Sequence, residues 1–378
     1  MHLCFVFEGY PTKEDPFMPF VRELVVQLTL QGMECSVIAP QSITRAYKHK
    51  LPIRPTYWKD YIDNTHSIEV YQPKYVTFSN TFLRLNEESM IYAAKRSFKR
   101  IKKRIDALYA HFWHMGVVAS KLSASLPIFV ACGESQIEVF NDYKVKEIEF
   151  LKKRVIGVVY VGTKAYEEAK ALGLQQNTPY IIAPNGYDPK KFYLMDKEKC
   201  RKRLKWPKDA FIVSFVGAYN KRKGVDRLSK ALSEIEDVYS CFIGSGDIVP
   251  SCDNILFTGS VAHDEIVTYL NAADIFVLPT NNEGCCNAIV EALACGLPII
   301  SSNQLFNCDI LGSEYSIQVD PMNINDIKEA IEMLKNDKTL ALSMREHALE
   351  KADKLSIKNR AKNIADFIKM QLLEDKMI

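Results

Sequence analysis

The sequence predicts an α/β protein built from two parallel-sheet domains in tandem. Three observations carry this reading. The 378 residues exceed what one hydrophobic core usually serves. Each half alternates short apolar runs with helical stretches, the pattern of a parallel sheet covered by helices. Between the halves stands a group of chain breakers, Pro184-Asn185-Gly186-Tyr187-Asp188, with a polar, basic stretch behind it as far as Lys208.

Taken in order, Leu3–Phe7, Glu34–Ala39, Ala107–Ala110, Ile128–Ala131 and Gly157–Val161 read as strands of the first half, with helices over Pro19–Gln31 and Gly116–Ser123. The segment Gln41–Arg84, rich in Tyr, Pro and basic residues, reads as an irregular insertion. In the second half Ile212–Gly217, Ser240–Ile243, Ile255–Thr258, Asp274–Leu278 and Pro298–Ser301 read as strands. Helices are expected over Val225–Ile235, His263–Asn271 and Asn287–Ala294, and the tail Ser356–Met377 as one or two amphipathic helices.

Composition excludes several classes. Apolar and charged fractions of 47% and 25% are those of an ordinary globular protein. No apolar run is long enough for a bilayer-spanning helix. The start Met1-His2-Leu3-Cys4-Phe5 lacks the basic head of a signal peptide, and ten cysteines without a C-x-x-C pair fit a reducing cytosol. A net charge of only +3 argues against a dedicated nucleic-acid partner. Positive charge is nevertheless concentrated. Lys95, Arg96, Lys99, Arg100, Lys102, Lys103 and Arg104 run without an acid among them, while Ile91, Ala94, Phe98, Ile101, Ile105 and Leu108 share the other face at helical spacing. That is the pattern of a basic amphipathic helix, a candidate for peripheral membrane contact over Lys95–Arg104 as well as a plain surface helix.

The most informative stretch is Asn282–Pro298. Glu283 and Glu291 lie eight positions apart around Gly284-Cys285-Cys286-Asn287 and the start of an apolar helix, and Gly296-Leu297-Pro298 stops that helix before the next strand. Free backbone N–H groups at a helix N-terminus attract phosphate, and two acids beside them suit the hydroxyls of a nucleotide sugar. Upstream, Gly217 ends a strand and Asn220-Lys221-Arg222-Lys223-Gly224 follows, a cationic turn leading into a helix that suits a diphosphate. Ile243-Gly244-Ser245-Gly246-Asp247 makes a further glycine turn after a strand. No G-x-G-x-x-G follows the first strand, which disfavours a dehydrogenase.

These motifs, in this order, resemble the family-4 retaining glycosyltransferases, and the resemblance spans nearly the whole chain. It implies the GT-B fold, two Rossmann-like domains facing an interdomain cleft: an acceptor-binding domain over 1–184, a nucleotide-sugar domain over 185–356 and a last helix, 357–378, crossing back to the first. The family's paired glutamates match Glu283 and Glu291, with Ala294-Cys295-Gly296-Leu297-Pro298 behind them. Its NG-x-D hinge element matches Asn185, Gly186 and Asp188, with Phe192 four residues on. Its cationic motif keeps Gly217, Lys223 and Gly224 but has Ala218 where an arginine is usual, so Arg222 or Lys221 supplies the second cation.

The resemblance implies an enzyme, a hexosyltransferase that takes a nucleotide sugar, expected to be UDP-linked, and a glycan or lipid-linked acceptor, with no cofactor and no metal. Glu283, Lys223 and Arg222 are the expected catalytic group. Gly217, Gly244, Gly259, Val261, Gly284, Cys285, Cys286, Asn287 and Glu291 are expected around the donor, with Glu291 on the ribose and Glu283 on the sugar. His263 reads as a helix-start residue. In the first half, the loop Glu8-Gly9-Tyr10-Pro11 through Pro16-Phe17 takes the place of the family's glycine-rich loop, stiffened by proline. Gly9, His111 and Glu134 are the candidates for the sugar or acceptor, Glu134 standing near where many members have a histidine; His114 is a further candidate. The expected setting is cytoplasmic, at the inner face of a bacterial membrane, in cell-surface polysaccharide assembly. Two rival readings are a nucleotide-sugar 2-epimerase on the same architecture and a catalytically silent sugar-nucleotide binding protein.

Overall fold

The computed structural model describes residues 1–12, 18–78 and 82–375. Pro16 and Phe17 of the proline-stiffened loop, and Met377 of the tail, lie outside the described residues. The chain divides into two compact units. The first holds Met1–Val161, Ala165–Ala183 and Ala361–Ile378; the second holds Gly162–Lys164 and Pro184–Arg360. The last helix, Ile357–Asp375, therefore starts in the second unit and groups with the first from Ala361 onward.

The first unit is an eight-stranded sheet ordered Tyr180–Ile182, Val155–Tyr160, Ile128–Cys132, Ala107–His111, His2–Val6, Glu34–Ile38, Ser67–Tyr71, Tyr57–Tyr61. All neighbours pair parallel except the last two. Central strands such as His2–Val6 and Ile128–Cys132 are buried throughout, because helices cover both faces of the sheet. Ala361, Ile364, Ala365 and Ile368 of the last helix join the core over Phe5, Phe129 and Val159.

Two expectations need correction here. The segment Gln41–Arg84 is not an irregular insertion. It supplies Ser67–Tyr71, whose Ile68 and Val70 enter the core, and the antiparallel edge strand Tyr57–Tyr61. Five-residue strands carrying Tyr, Trp and Lys on an exposed edge leave little apolar alternation to detect. The basic amphipathic helix does not run from Ile91 to Leu108. The helix is Leu83–Phe98, and Leu108 lies in the strand Ala107–His111. The apolar positions still face inward: Ile91 and Ala94 are buried, and Phe98, Ile101 and Ile105 pack against the same core. They satisfy a helical period by coincidence, since a turn and a strand start also bring them to that core.

The second unit is a six-stranded, wholly parallel sheet ordered Ile255–Gly259, Val238–Ile243, Phe211–Val216, Ile275–Leu278, Ile299–Ser302, Ser316–Val319. In chain order this is 3-2-1-4-5-6, the doubly wound dinucleotide-fold order. The order reverses between Phe211–Val216 and Ile275–Leu278. Loops leaving the C-terminal ends of those two strands part to opposite faces there and open the crevice in which such sheets bind ligands. Unforeseen elements include the helix Lys197–Leu204 inside the basic stretch, started by the Asp196 carboxylate accepting from Lys199 N–H at 2.8 Å, and the paired helices Ile324–Asn336 and Lys338–Lys354.

Candidate functional site

The crevice of the second unit brings together residues 60 positions apart in sequence. The strand Phe211–Val216 leads through Gly217 to Asn220–Gly224, and Ile275–Leu278 leads to Pro279–Glu283. Glu283 Oε1 is the meeting point: Lys223 Nζ lies 2.7 Å away, Arg222 Nη1 2.6 Å, and Thr280 Oγ1 donates to it at 3.0 Å. Both Lys223 and Glu283 are largely buried, so their charges act in a medium of lower effective dielectric than bulk water. Arg222 is more open and also donates to the Asn282 carbonyl at 2.6 Å. The second cation beside Lys223 is thus Arg222. Lys221 is exposed, and its carbonyl serves as an acceptor within the turn.

The two loops are locked to each other by groups that sequence reading missed. Arg227, buried on the helix Val225–Leu232, donates from Nη1 to Lys221 O at 2.9 Å and from Nη2 to Pro279 O at 2.7 Å and Asn281 Oδ1 at 3.0 Å. Asn281 N–H returns a bond to Arg222 O at 2.8 Å. Gly224 starts that helix with φ +76°, and a Cβ there would sit 2.3 Å from Pro279 O. No L side chain fits that approach, which is why the turn needs glycine. Lys164, grouped with this unit, donates to Asn282 Oδ1 at 2.5 Å and to Glu283 O at 3.2 Å. The only sequence signal for Arg227 was a cation on an otherwise apolar helix face.

The glycine turn after Val238–Ile243 closes the same edge. A Cβ on Gly244 would fall 1.9 Å from Gly217 O, so the two turns touch through bare backbone. Tyr219, also unforeseen, is buried between them. Its hydroxyl donates to Phe242 O at 2.6 Å and accepts from Gly259 N–H at 3.1 Å. Val261, two residues past Gly259, packs partly buried on the core. His263 is not a helix-start residue, because the helix is Ile266–Ala272. Its Nε2 lies 3.3 Å from Glu291 Oε1, and its ring meets Phe192 edge-on at 5.2 Å.

The helix Asn287–Ala294 starts at the same edge, with Cys286 as N-cap and no side-chain cap bond. Its first N–H groups therefore keep their capacity for an anion. Asn185 of the breaker cluster reaches this turn: its N–H donates to Cys285 Sγ at 3.3 Å, and Nδ2 donates to Cys285 O at 3.3 Å and Asn287 Oδ1 at 2.8 Å. Gly284 is buried beside them. Burial pushes the Cys285 thiol up to about 12 and raises Cys286 as well, so both are neutral packing groups and not reactive thiols. Among the described residues no three His, Cys, Asp or Glu side chains are grouped as a metal site.

In the first unit, Gly9 and Glu134 follow the C-terminal ends of the strands His2–Val6 and Ile128–Cys132, and His111 ends the strand Ala107–His111. Gly9 is buried next to Tyr10, whose hydroxyl donates to Asp60 at 2.9 Å; Asp60 in turn takes two bonds from Arg22 at 2.7 and 2.9 Å. His111 is buried among aromatic rings, 4.2 Å from Phe112, 5.4 Å from Phe20 and 5.8 Å from Phe7. His114 faces Glu8 at 3.7 Å. Both Glu134 oxygens are engaged by backbone: Oε1 accepts from Trp113 N–H and Oε2 from Gly133 N–H, each at 2.9 Å. Glu134 thereby caps the helix Trp113–Leu122, which follows Phe112 at φ +76°. Burial pushes its carboxyl above the usual carboxylate range, opposed by those backbone bonds.

Known proteins resemble this chain in sequence and in fold. The family model described as "Glycosyl transferases group 1" matches residues 196–354. The putative teichuronic acid biosynthesis glycosyltransferase TuaC of Bacillus subtilis is 28% identical over 353 residues, covering 88% of each chain. A Campylobacter jejuni N,N'-diacetylbacillosaminyl-diphospho-undecaprenol alpha-1,3-N-acetylgalactosaminyltransferase is 29% identical over 206 residues, 51% of this chain and 55% of that one. In structure the chain is similar to sucrose-phosphate synthase from Thermosynechococcus elongatus, with TM-score 0.77, 17% identity and 99% of both chains covered. It is also similar to Anabaena HepE solved with UDP, with TM-score 0.71, 14% identity and 98% and 100% covered. Two doubly wound units, one with a cationic and acidic crevice at its switch point, are the GT-B architecture. The group 1 match over 196–354, in the second unit, and the full-length relative support a GT-B glycosyltransferase, a hexosyltransferase by class.

Proposed function

We propose that the chain transfers a hexose-type sugar from UDP to a hydroxyl of a glycan or lipid-linked acceptor with retained anomeric configuration, in cell-surface polysaccharide assembly. The observation that carries this reading is the Glu283 carboxylate held by Lys223 and Arg222 at the switch point, beside the open start of the helix Asn287–Ala294. A diphosphate placed there competes with Glu283 for both cations. As they turn to phosphate, Glu283 is released toward the hydroxyls of the donor sugar, and Glu291, now paired with His263, takes the ribose. The bond from the anomeric carbon to the phosphate oxygen breaks while the acceptor oxygen bonds to the same face of that carbon. The acceptor proton passes to the departing phosphate. Lys223, Arg222 and the helix N-terminus stabilise the charge growing on that phosphate, so no metal ion enters the reaction.

Relatives support the substrate classes. HepE was solved with UDP, TuaC is named for teichuronic acid, and the Campylobacter relative is named for an undecaprenol-linked acceptor. In the first unit we assign Gly9 and His111 to the acceptor side and Glu134 to the positioning of its helix. Lys95, Arg96, Lys99, Arg100, Lys102, Lys103 and Arg104 are exposed and offer a positive surface to anionic headgroups at the inner face of the membrane. No described helix is long and apolar enough to cross a membrane.

The test is transfer from a panel of nucleotide sugars to a lipid-linked acceptor, with the product anomer read by proton NMR and the rate followed with and without chelator. Lys223→Ala should lower kcat by roughly 10²–10³-fold, as loss of one preorganised charge donor does. An inverted product, or a donor isomerised without acceptor, would refute the proposal.

A further inference from the structure

A concavity of the second unit lies at the opposite edge of its sheet from the crevice. It measures about 800 Å³ and is lined by Phe211, Tyr239, Asp274 and Pro298, which stand at or just before the N-terminal ends of four parallel strands. That volume suits a nucleotide-sized ligand. None of the residues expected around the donor lines it.

Its walls carry six cations, Lys197, Arg201, Lys208, Lys335, Lys338 and Arg345, against the carboxylates Asp209, Asp237 and Asp274. Asp274 is already engaged, with Lys197 and Arg201 each at 2.7 Å. Lys208 pairs with Glu198 at 3.2 Å, and Lys335 donates to the Glu236 carbonyl. Lys338 and Arg345 differ. Seven positions apart on the helix Lys338–Lys354, they share one face, and among the described residues neither side chain makes a hydrogen bond or ion pair. Lys338 is moreover the first residue of that helix, where the helix dipole adds positive potential to its own. The stem of Arg345 rests against Gly296, its Cγ 3.4 Å from where a Cβ would be. Phe211, Tyr239, Leu334, Ala341 and Leu342 give the same cavity an apolar side.

We infer that this cavity is a second ligand site, one that binds a phosphorylated small molecule through Lys338 and Arg345 and lays its apolar or aromatic part on Phe211 and Tyr239. Lys338 and Arg345, neither of them ion-paired among the described residues, stand in one concave wall, and an anion placed between them gains charge-assisted bonds. The apolar side selects an organic phosphate ester over the free ion. The site is independent of the donor crevice and of the reaction proposed for it.

Phenyl phosphate and inorganic phosphate serve as probes, titrated against the full chain with ligand-observed NMR. Four proteins are compared: the native chain, Lys223→Ala, the pair Lys338→Gln and Arg345→Gln, and the pair combined with Lys223→Ala. Phenyl phosphate should bind Lys223→Ala at least fivefold more tightly than inorganic phosphate does. Adding Lys338→Gln and Arg345→Gln should weaken that binding tenfold or more, with an unchanged melting temperature showing that the fold is intact. Unaltered binding in the combined variant, or equal affinity for the two probes, overturns the inference. A loss of all binding in Lys223→Ala alone also overturns it, because the only anion site would then be the crevice.

Discussion

Replacing Arg227 with methionine should disable the crevice without touching any group that meets the donor. The guanidinium makes three hydrogen bonds to two loops, and two of its acceptors, Pro279 O and Asn281 Oδ1, belong to the segment that carries Glu283. Lys221 O is on an exposed turn, where water can replace the lost donor. Pro279 O is buried and cannot be reached so easily. Leaving that carbonyl unsatisfied costs about 1–3 kcal/mol, and losing the charged bond at Asn281 adds about 1 kcal/mol, so a destabilisation of about 2–4 kcal/mol follows. Burial of the guanidinium, which pulls its proton affinity down, offsets part of this, because methionine has no charge to desolvate.

The effect on catalysis should be larger than the effect on folding. Lys223 and Glu283, the proposed catalytic groups, sit on the two loops that Arg227 joins, and a displacement of about 1 Å between such groups costs on the order of 10²-fold in rate. The assays are urea unfolding of the full chain and steady-state kinetics in donor. The expected result is a lower unfolding midpoint and a fall of about 10²-fold in kcat/KM with both constants changed. Arg227→Lys, keeping the charge and one of the three bonds, should recover part of each. Full activity in a folded Arg227→Met protein would refute the view that this residue sets the geometry of the site.

Gly224→Ala places a methyl group 2.3 Å from Pro279 O at φ +76°, so it should destabilise the second unit by roughly 2 kcal/mol or more and lower donor affinity, read by thermal melting and by UDP titration. Glu134 has its folded-state carboxyl raised by burial, so its contribution to stability is fully present below the unfolded value and is lost as pH rises through the folded one. The stability difference between the native chain and Glu134→Gln should therefore shrink as pH rises from about 4 to 7, the unfolded glutamate value being ~4.3. A difference that grows over that range, measured by urea titration, would contradict the assigned direction.

How much was legible in advance varies with the type of residue. The second unit's strands and the helix Asn287–Ala294 were readable because a wholly buried parallel strand is a continuous apolar run. The edge strand Tyr57–Tyr61 was not, since one exposed face erases that run. Lys223, Arg222 and Glu283 stood out because charged residues beside glycine turns are conspicuous in sequence. Tyr219, Arg227 and Lys164 did not, because each bonds a partner 23, 52 and 119 positions away respectively, a relation with no local signature.

Sequence alone determined the class of fold, the two-part plan and the class of enzyme. Apolar periodicity, chain breakers and the spacing of two glutamates are properties of neighbouring residues and survive without coordinates. Tertiary structure alone decided that the strand order reverses beside Gly217, that Arg222 is the cation joining Lys223 on Glu283, and that Glu134 holds a helix start. Those facts depend on which strands become neighbours and on where buried polar groups find partners. Both are settled by packing the whole chain at once.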